Sequence, residues 1–108
     1  MKYRFMRVIV FFDLPSVTSA ERKQYRLFRR FLLNEGFIMM QESVYSKLLL
    51  NSTNVNLLKI RLKKNLPKEG LIQVLTVTEK QYADIECILG DASANTNTLN
   101  TSDRLVIY

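Results

Sequence analysis

Histidine and tryptophan are absent from this chain of 108 residues, and cysteine occurs once, proline twice and glycine three times. Without histidine the usual general base and the commonest metal ligand are both missing. A lone Cys87 excludes a disulfide framework, a thiol redox pair and a zinc ribbon. The sparse glycines form no phosphate-cradling loop, and Ser16, Ser43 and Ser46 have no His or Lys partner in a recognisable motif, which argues against serine nucleophile chemistry. Long apolar runs are lacking too. Val8 to Phe12 follows Lys2 and Arg4 but is too short for a signal-peptide core, and Asp13 and Pro15 interrupt it without a small-residue cleavage site. The expectation is a cytoplasmic protein without a membrane span. Chemistry on a phosphate would then fall to carboxylates, hydroxyls, Lys and Arg, with a magnesium-type oxygen site as the leading option.

What is present is an ordinary globular balance, 47% hydrophobic and 24% charged, enough for one core. Sixteen basic residues against ten acidic ones give a net charge of +6, which points toward anionic partners. The charge is uneven. Met1 to Phe31 carries eight basic residues against Asp13 and Glu21, and Lys47 to Lys68 carries six with no acid. Leu32 to Ser46 holds only two charged acids, Glu35 and Glu42, until Lys47 opens the second basic block, and the final third is acidic.

Met6 to Phe12 is apolar at both parities after Arg7, which predicts a central strand covered on both faces. Pro15 ends it. Thr18-Ser19-Ala20-Glu21 has the form of a capping box, so a helix should run from Thr18 as N-cap to about Glu35, stopped by Gly36. Phe37 to Met40 and Ser43 to Leu50 follow as two strands with Gln41-Glu42 as the link. The Asn51-Ser52-Thr53-Asn54 cluster starts a second helix with Val55, Leu58, Leu62 and Leu66 on one stripe. Gly70 to Thr78 is a fourth strand, and Ile85 to Ile88 a short fifth one ending at Gly90.

This order is α+β, a ferredoxin-like βαββαβ arrangement with an extra short strand. Both helices should lie on one sheet face, and a symmetric homodimer stacking sheet on sheet is the economical cover for the other. Residues 1–90 form the domain. Residues 91–108 are a polar linker and a β-prone tail, Arg104 to Tyr108, that docks on a sheet edge.

Two features carry chemistry. On the first helix Arg22, Arg26, Arg29 and Arg30 fall opposite the apolar stripe of Leu27, Phe28, Phe31 and Leu32. Such a helix is ~24 Å long, and duplex DNA offers a phosphate every ~1.7 Å of axis. With Lys23, and with Lys63 and Lys64 of the second block, these are the candidate nucleic-acid contacts. The second feature is Asp13, at the carboxyl end of an all-apolar strand. The residues alone leave it open between a turn carboxylate accepting backbone amides and a metal ligand. A twofold axis near the strand end would pair two Asp13 side chains into a bridged magnesium site.

The Val8-Ile9-Val10-Phe11-Phe12-Asp13-Leu14-Pro15 strand, the Arg-rich helix with Glu21-Arg22-Lys23, the Gly36-Phe37 break and Gln41-x-Ser43-Val44-Tyr45-Ser46 together resemble the small CRISPR-associated family two, the adaptation subunit. The likeness extends through Thr76-Val77-Thr78-Glu79-Lys80-Gln81 and Arg104-Leu105-Val106-Ile107, and is greatest toward the type II branch. It implies a ferredoxin-like homodimer that joins the CRISPR-associated integrase in capturing double-stranded DNA fragments and inserting them as spacers. It also implies a Mg2+-dependent endonuclease acting on RNA or DNA, with Asp13 as the catalytic and metal residue. The family's usual residue before that aspartate is Tyr; here it is Phe12.

Two functions of different classes follow. One is a metal-dependent phosphodiesterase centred on Asp13. The other is a non-catalytic DNA-binding and assembly module using the basic track and the tail. An aromatic-sheet RNA-binding module ranks below both, because its Gly/Phe-rich octamer is missing.

Overall fold

The computed structural model describes residues 5–90. Four strands and three helices follow in the order β1 (Met6–Asp13), α1 (Ser19–Asn34), β2 (Ile38–Gln41), β3 (Val44–Leu49), α2 (Ser52–Lys63), β4 (Leu71–Thr78) and α3 (Glu79–Ala83). The sheet order is β2-β3-β1-β4 with every neighbouring pair antiparallel. Two interleaved crossovers, β1-α1-β2 around β3 and β3-α2-β4 around β1, make this the expected ferredoxin-like arrangement.

Alternation along β1 divides the core from the site. Val8, Val10 and Phe12 point to the helical layer, where they pack with Tyr45 and Leu49 of β3, Phe28 and Leu32 of α1, and Val55, Leu58 and Leu62 of α2. Phe12 is the hub of an aromatic cluster, with its ring centroid 5.2 Å from that of Phe28, 5.6 Å from Tyr45 and 5.8 Å from Tyr25. The helical stripes are narrower than the sequence suggested. Leu27 is 45% exposed, and Leu66 is exposed beyond the end of α2, where the chain has already left the helix.

The helix ends follow their capping chemistry. Thr18 accepts from the Glu21 amide while Glu21 accepts from the Thr18 and Val17 amides, and those backbone donors hold the Glu21 carboxyl below its ordinary pKa. Asn51 caps α2 through the Asn54 amide. At the other end of α1, Glu35 binds Arg61 of α2 through both carboxylate oxygens, at 2.8 and 2.9 Å. Lys47 of β3 donates to the Glu35 carbonyl and lies 3.7 Å from its carboxylate. One acid thus ties α1, α2 and β3 together.

The Arg61 hydrogen bonds hold the Glu35 carboxyl below the usual carboxylate range. Since the folded-state value is depressed, Glu35 contributes stability above its unfolded-state pKa and loses it as pH falls through the folded one. Glu35→Gln should therefore lower stability at neutral pH and flatten the acid side of a stability-versus-pH curve. Chemical denaturation of both proteins from pH 7 to 3 checks this, and parallel curves would count against the Glu35 link.

Two sequence expectations are corrected. The link between β2 and β3 is Glu42-Ser43, one residue later than Gln41-Glu42, with Gln41 paired to Val44 across it. Ser43 takes a positive φ of 64° there, and the register shifts between Met39 and Gln41. A one-residue irregularity in β2 has displaced the turn. The fifth strand at Ile85–Ile88 is not formed. Instead Thr78 and Gln81 make a second capping box that starts α3, and the residues after it are exposed coil with no strand partner among the described residues. The tail at 104–108, and the division of the chain at residue 90, fall on or border residues outside those described.

Candidate functional site

The second face of the sheet carries Arg7, Ile9, Phe11 and Asp13 from β1, Ser46 and Leu48 from β3, and Leu71 and Leu75 from β4. Helix α3 lies over the Arg7 end. Arg7 makes a two-pronged ion pair with Glu79 at 2.9 and 3.0 Å and stacks over the Tyr82 ring, 4.1 Å from its centroid. The Tyr82 hydroxyl lies 3.3 Å from Ser46 Oγ. Beyond this cover, Phe11, Ile38, Leu48, Leu71 and Leu75 remain exposed, an apolar strip on a sheet face whose other side is packed.

Asp13 ends β1 on this open face. Its side chain is exposed, and among the described residues its carboxylate accepts no hydrogen bond and joins no ion pair. The turn reading of Asp13 therefore has no support, since the following amides do not reach back to it. The neighbouring Phe12 points to the opposite face and is 5% exposed. A tyrosine hydroxyl in its place would project among the core aromatics, so the Phe at this position does not alter the surroundings of the carboxylate. No group of three or more Cys, Asp or Glu side chains placed to hold a metal occurs among the described residues. One hard oxygen donor per chain fits a magnesium ion that keeps most of its waters, or one shared between two copies.

The basic residues lie elsewhere. On α1, at 100° per residue, Arg29, Arg22, Arg26, Arg30 and Lys23 fill an arc of roughly 120° directed away from the core, and all five are exposed. They are not equivalent. Arg22 donates to the Val17 carbonyl and Arg29 donates to the hydroxyl of buried Tyr45 at 2.8 Å. Lys23, Arg26 and Arg30, and Lys63 and Lys64 at the end of α2, have no protein partner among the described residues. In the second basic block Lys47 and Arg61 are engaged with Glu35. The structure thus gathers the candidate phosphate contacts on the helical layer and leaves Asp13 on the other side of the sheet. The candidate binding residues and the candidate catalytic residue therefore lie on separate surfaces of one chain.

Two further residues carry no motif. Lys68, with Leu14, Pro15, Glu21 and Gln24, lines a cleft of ≈ 210 Å³ at the start of α1. Gly70, just before β4, lies against the Asp13 carbonyl. Its only sequence signal was a glycine at a strand entrance.

A ferredoxin-like domain with a free strand-end carboxylate on one face and a cationic helix on the other is the class that fold and site define. Comparison with known proteins narrows it. The family model described as CRISPR associated protein Cas2 matches residues 6–85. The chain is similar to proteins named CRISPR-associated endoribonuclease Cas2 from Treponema denticola, 56% identical over 94% of this chain and 99% of that protein, and from Streptococcus mutans serotype c, 54% identical over 94% and 91%. One of the same name from Ligilactobacillus salivarius is 43% identical over 94% and 99%. This chain belongs to the Cas2 family.

Proposed function

We propose that this chain is a metal-dependent endonuclease of a CRISPR system, cleaving RNA or DNA phosphodiesters at Asp13. We further propose that it serves in spacer acquisition, holding double-stranded DNA on its helical layer together with the CRISPR-associated integrase. The observation that carries the enzymatic reading is the Asp13 carboxylate, exposed and without a partner among the described residues, at the end of a buried strand. An exposed carboxylate without a protein partner among the described residues has its oxygens open to a hydrated cation. The name endoribonuclease borne by the relatives supports the same reading.

The apolar strip around Phe11, Leu48 and Leu75 supports a homodimer stacked through the open faces, which places the Asp13 of each protomer at the interface side of its sheet. Asp13 would hold Mg2+ there. Such an ion, when bound, would lower the pKa of a water and neutralise charge on the phosphate. With no histidine in the chain, the protein's own part is to hold the carboxylate in place, and to keep the nucleic acid seated through Lys23, Arg26 and Arg30.

A non-catalytic scaffold is the second reading, and one observation favours it: the basic arc and Asp13 occupy opposite sides of the sheet, so the arc is complete without the carboxylate. Metal removal separates the two. Rigorously purified wild-type protein should cleave a nucleic acid with Mg2+ and stop when EDTA is added, while duplex binding persists. Binding without any cleavage across RNA and DNA substrates would leave the scaffold alone.

A further inference from the structure

We propose that Gly70 is a positioning residue for Asp13, its missing side chain letting the entrance of β4 close on the Asp13 backbone and so fixing where the carboxylate stands. The functional consequence rests on the reading of Asp13 as the metal-site residue; the positional claim does not. Ladder pairing shows why Asp13 needs such support. The β1–β3 register ends at Phe11 opposite Val44, followed by one hydrogen bond from the Phe12 amide to the Ser43 carbonyl. Past that point β1 pairs only with β4, Phe12 opposite Ile72 and Asp13 opposite Leu71. The side chain of Asp13 contributes no anchor of its own among the described residues. Its location is therefore inherited from the backbone that Leu71, and Gly70 before it, set in place.

Gly70 is fitted to that contact. A Cβ there would stand 2.8 Å from the Asp13 carbonyl oxygen, 3.2 Å from Leu14 Cα and 2.5 Å from Leu14 Cδ2. Two of the three are backbone atoms that cannot swing aside. The φ of Gly70 is +115°, a conformation that side chains rarely adopt. Gly90 supplies an internal control, because its φ is +108° and a Cβ there meets nothing within 4 Å. The two glycines share the backbone demand, and only Gly70 has the close approach.

The test uses the full chain as wild type, Gly70→Ala and Gly90→Ala, followed by NMR through the Asp13 amide and carboxylate carbon. In metal-free protein Gly70→Ala should displace both Asp13 resonances, while Gly90→Ala leaves them in place. On titration with Mg2+, Gly70→Ala should raise the half-saturating concentration read at Asp13 by about tenfold or more, the usual scale for groups that orient a metal ligand, with duplex affinity unchanged. A folded Gly70→Ala protein whose Asp13 resonances and Mg2+ titration match wild type would overturn the proposal. If Gly70→Ala does not fold, combining it with Leu14→Ala removes the 2.5 Å clash and retains the one at 2.8 Å. Asp13 resonances unmoved relative to Leu14→Ala alone would then overturn it equally. Failure of the metal reading shows separately, as wild-type Asp13 resonances indifferent to Mg2+.

Discussion

Asp13→Asn is expected to reduce Mg2+-dependent cleavage by at least about 100-fold, since even residues that merely orient metal ligands cost 10- to 100-fold when changed. The substitution keeps the shape of the side chain and removes its charge, so it tests the carboxylate and not the strand end. Stability should hardly change, because the side chain is exposed and makes no hydrogen bond or ion pair among the described residues. Duplex affinity should persist as well. The basic arc lies across the sheet from Asp13, and removing a negative charge cannot weaken attraction to a polyanion. A melting curve, a binding isotherm and a cleavage time course on the same preparation give all three readings. Cleavage retained at the wild-type rate would remove Asp13 from the chemistry.

The second large effect is on binding. Replacing Lys23, Arg26 and Arg30 together by Ala should weaken binding to every duplex sequence alike, because phosphates carry no sequence information. If each cation meets one phosphate, the slope of log affinity against log salt should shrink by about 0.9 per lost contact, or about 2.7 in all. These three side chains have no protein partner among the described residues, so their loss should leave folding stability nearly unchanged. Arg29→Ala is the instructive contrast. Its guanidinium satisfies the hydroxyl of Tyr45, which is 1% exposed, and a buried hydroxyl left without a partner costs about 1–3 kcal/mol. Arg29 should therefore show mainly in thermal or chemical denaturation, and the triple substitution mainly in salt-dependent binding isotherms. An unchanged salt slope in the triple variant would rule out this helix face as the phosphate track.

The contrast between these cations marks where the sequence stops being legible. Helical spacing was enough to group Arg22, Arg26, Arg29 and Arg30 on one arc, and the structure agrees and adds Lys23 to it. That Arg22 turns back to Val17, and that Arg29 crosses to Tyr45, depends on tertiary neighbours that periodicity does not report. The same holds for Glu35 with Arg61 and for Arg7 with Glu79, pairs separated by 26 and 72 residues. Local signals did better. The Thr18–Glu21 capping box, the Asn51–Asn54 cap cluster and the central place of β1 all read correctly, because each rests on residues within a few positions of one another or on alternation alone. The cover expected on both faces of β1, in contrast, is seen on the helical side, and Phe11 on the other stays exposed. Helix α3 carries such a local signal in Thr78 and Gln81, whereas the strand expected at Ile85 to Ile88 rests on a short apolar run alone and does not form. A short apolar run is compatible with a strand but does not supply an edge to pair with. Asp13 was legible as a strand-end carboxylate. Its freedom from the turn, and the close approach of Gly70 to its backbone, depend on tertiary neighbours that spacing does not report.

The most direct measurement is a crystal structure of the full chain grown with Mg2+. The expected result is a twofold dimer stacked through the faces that carry Phe11 and Leu75, with both Asp13 carboxylates coordinating one ion, directly at the roughly 2.0–2.1 Å of magnesium–oxygen bonds or through its waters. A dimer that buries some other surface, or one that holds the two carboxylates too far apart to share an ion and its waters, would contradict the proposed metal site and leave this Cas2 family member as a DNA-binding scaffold.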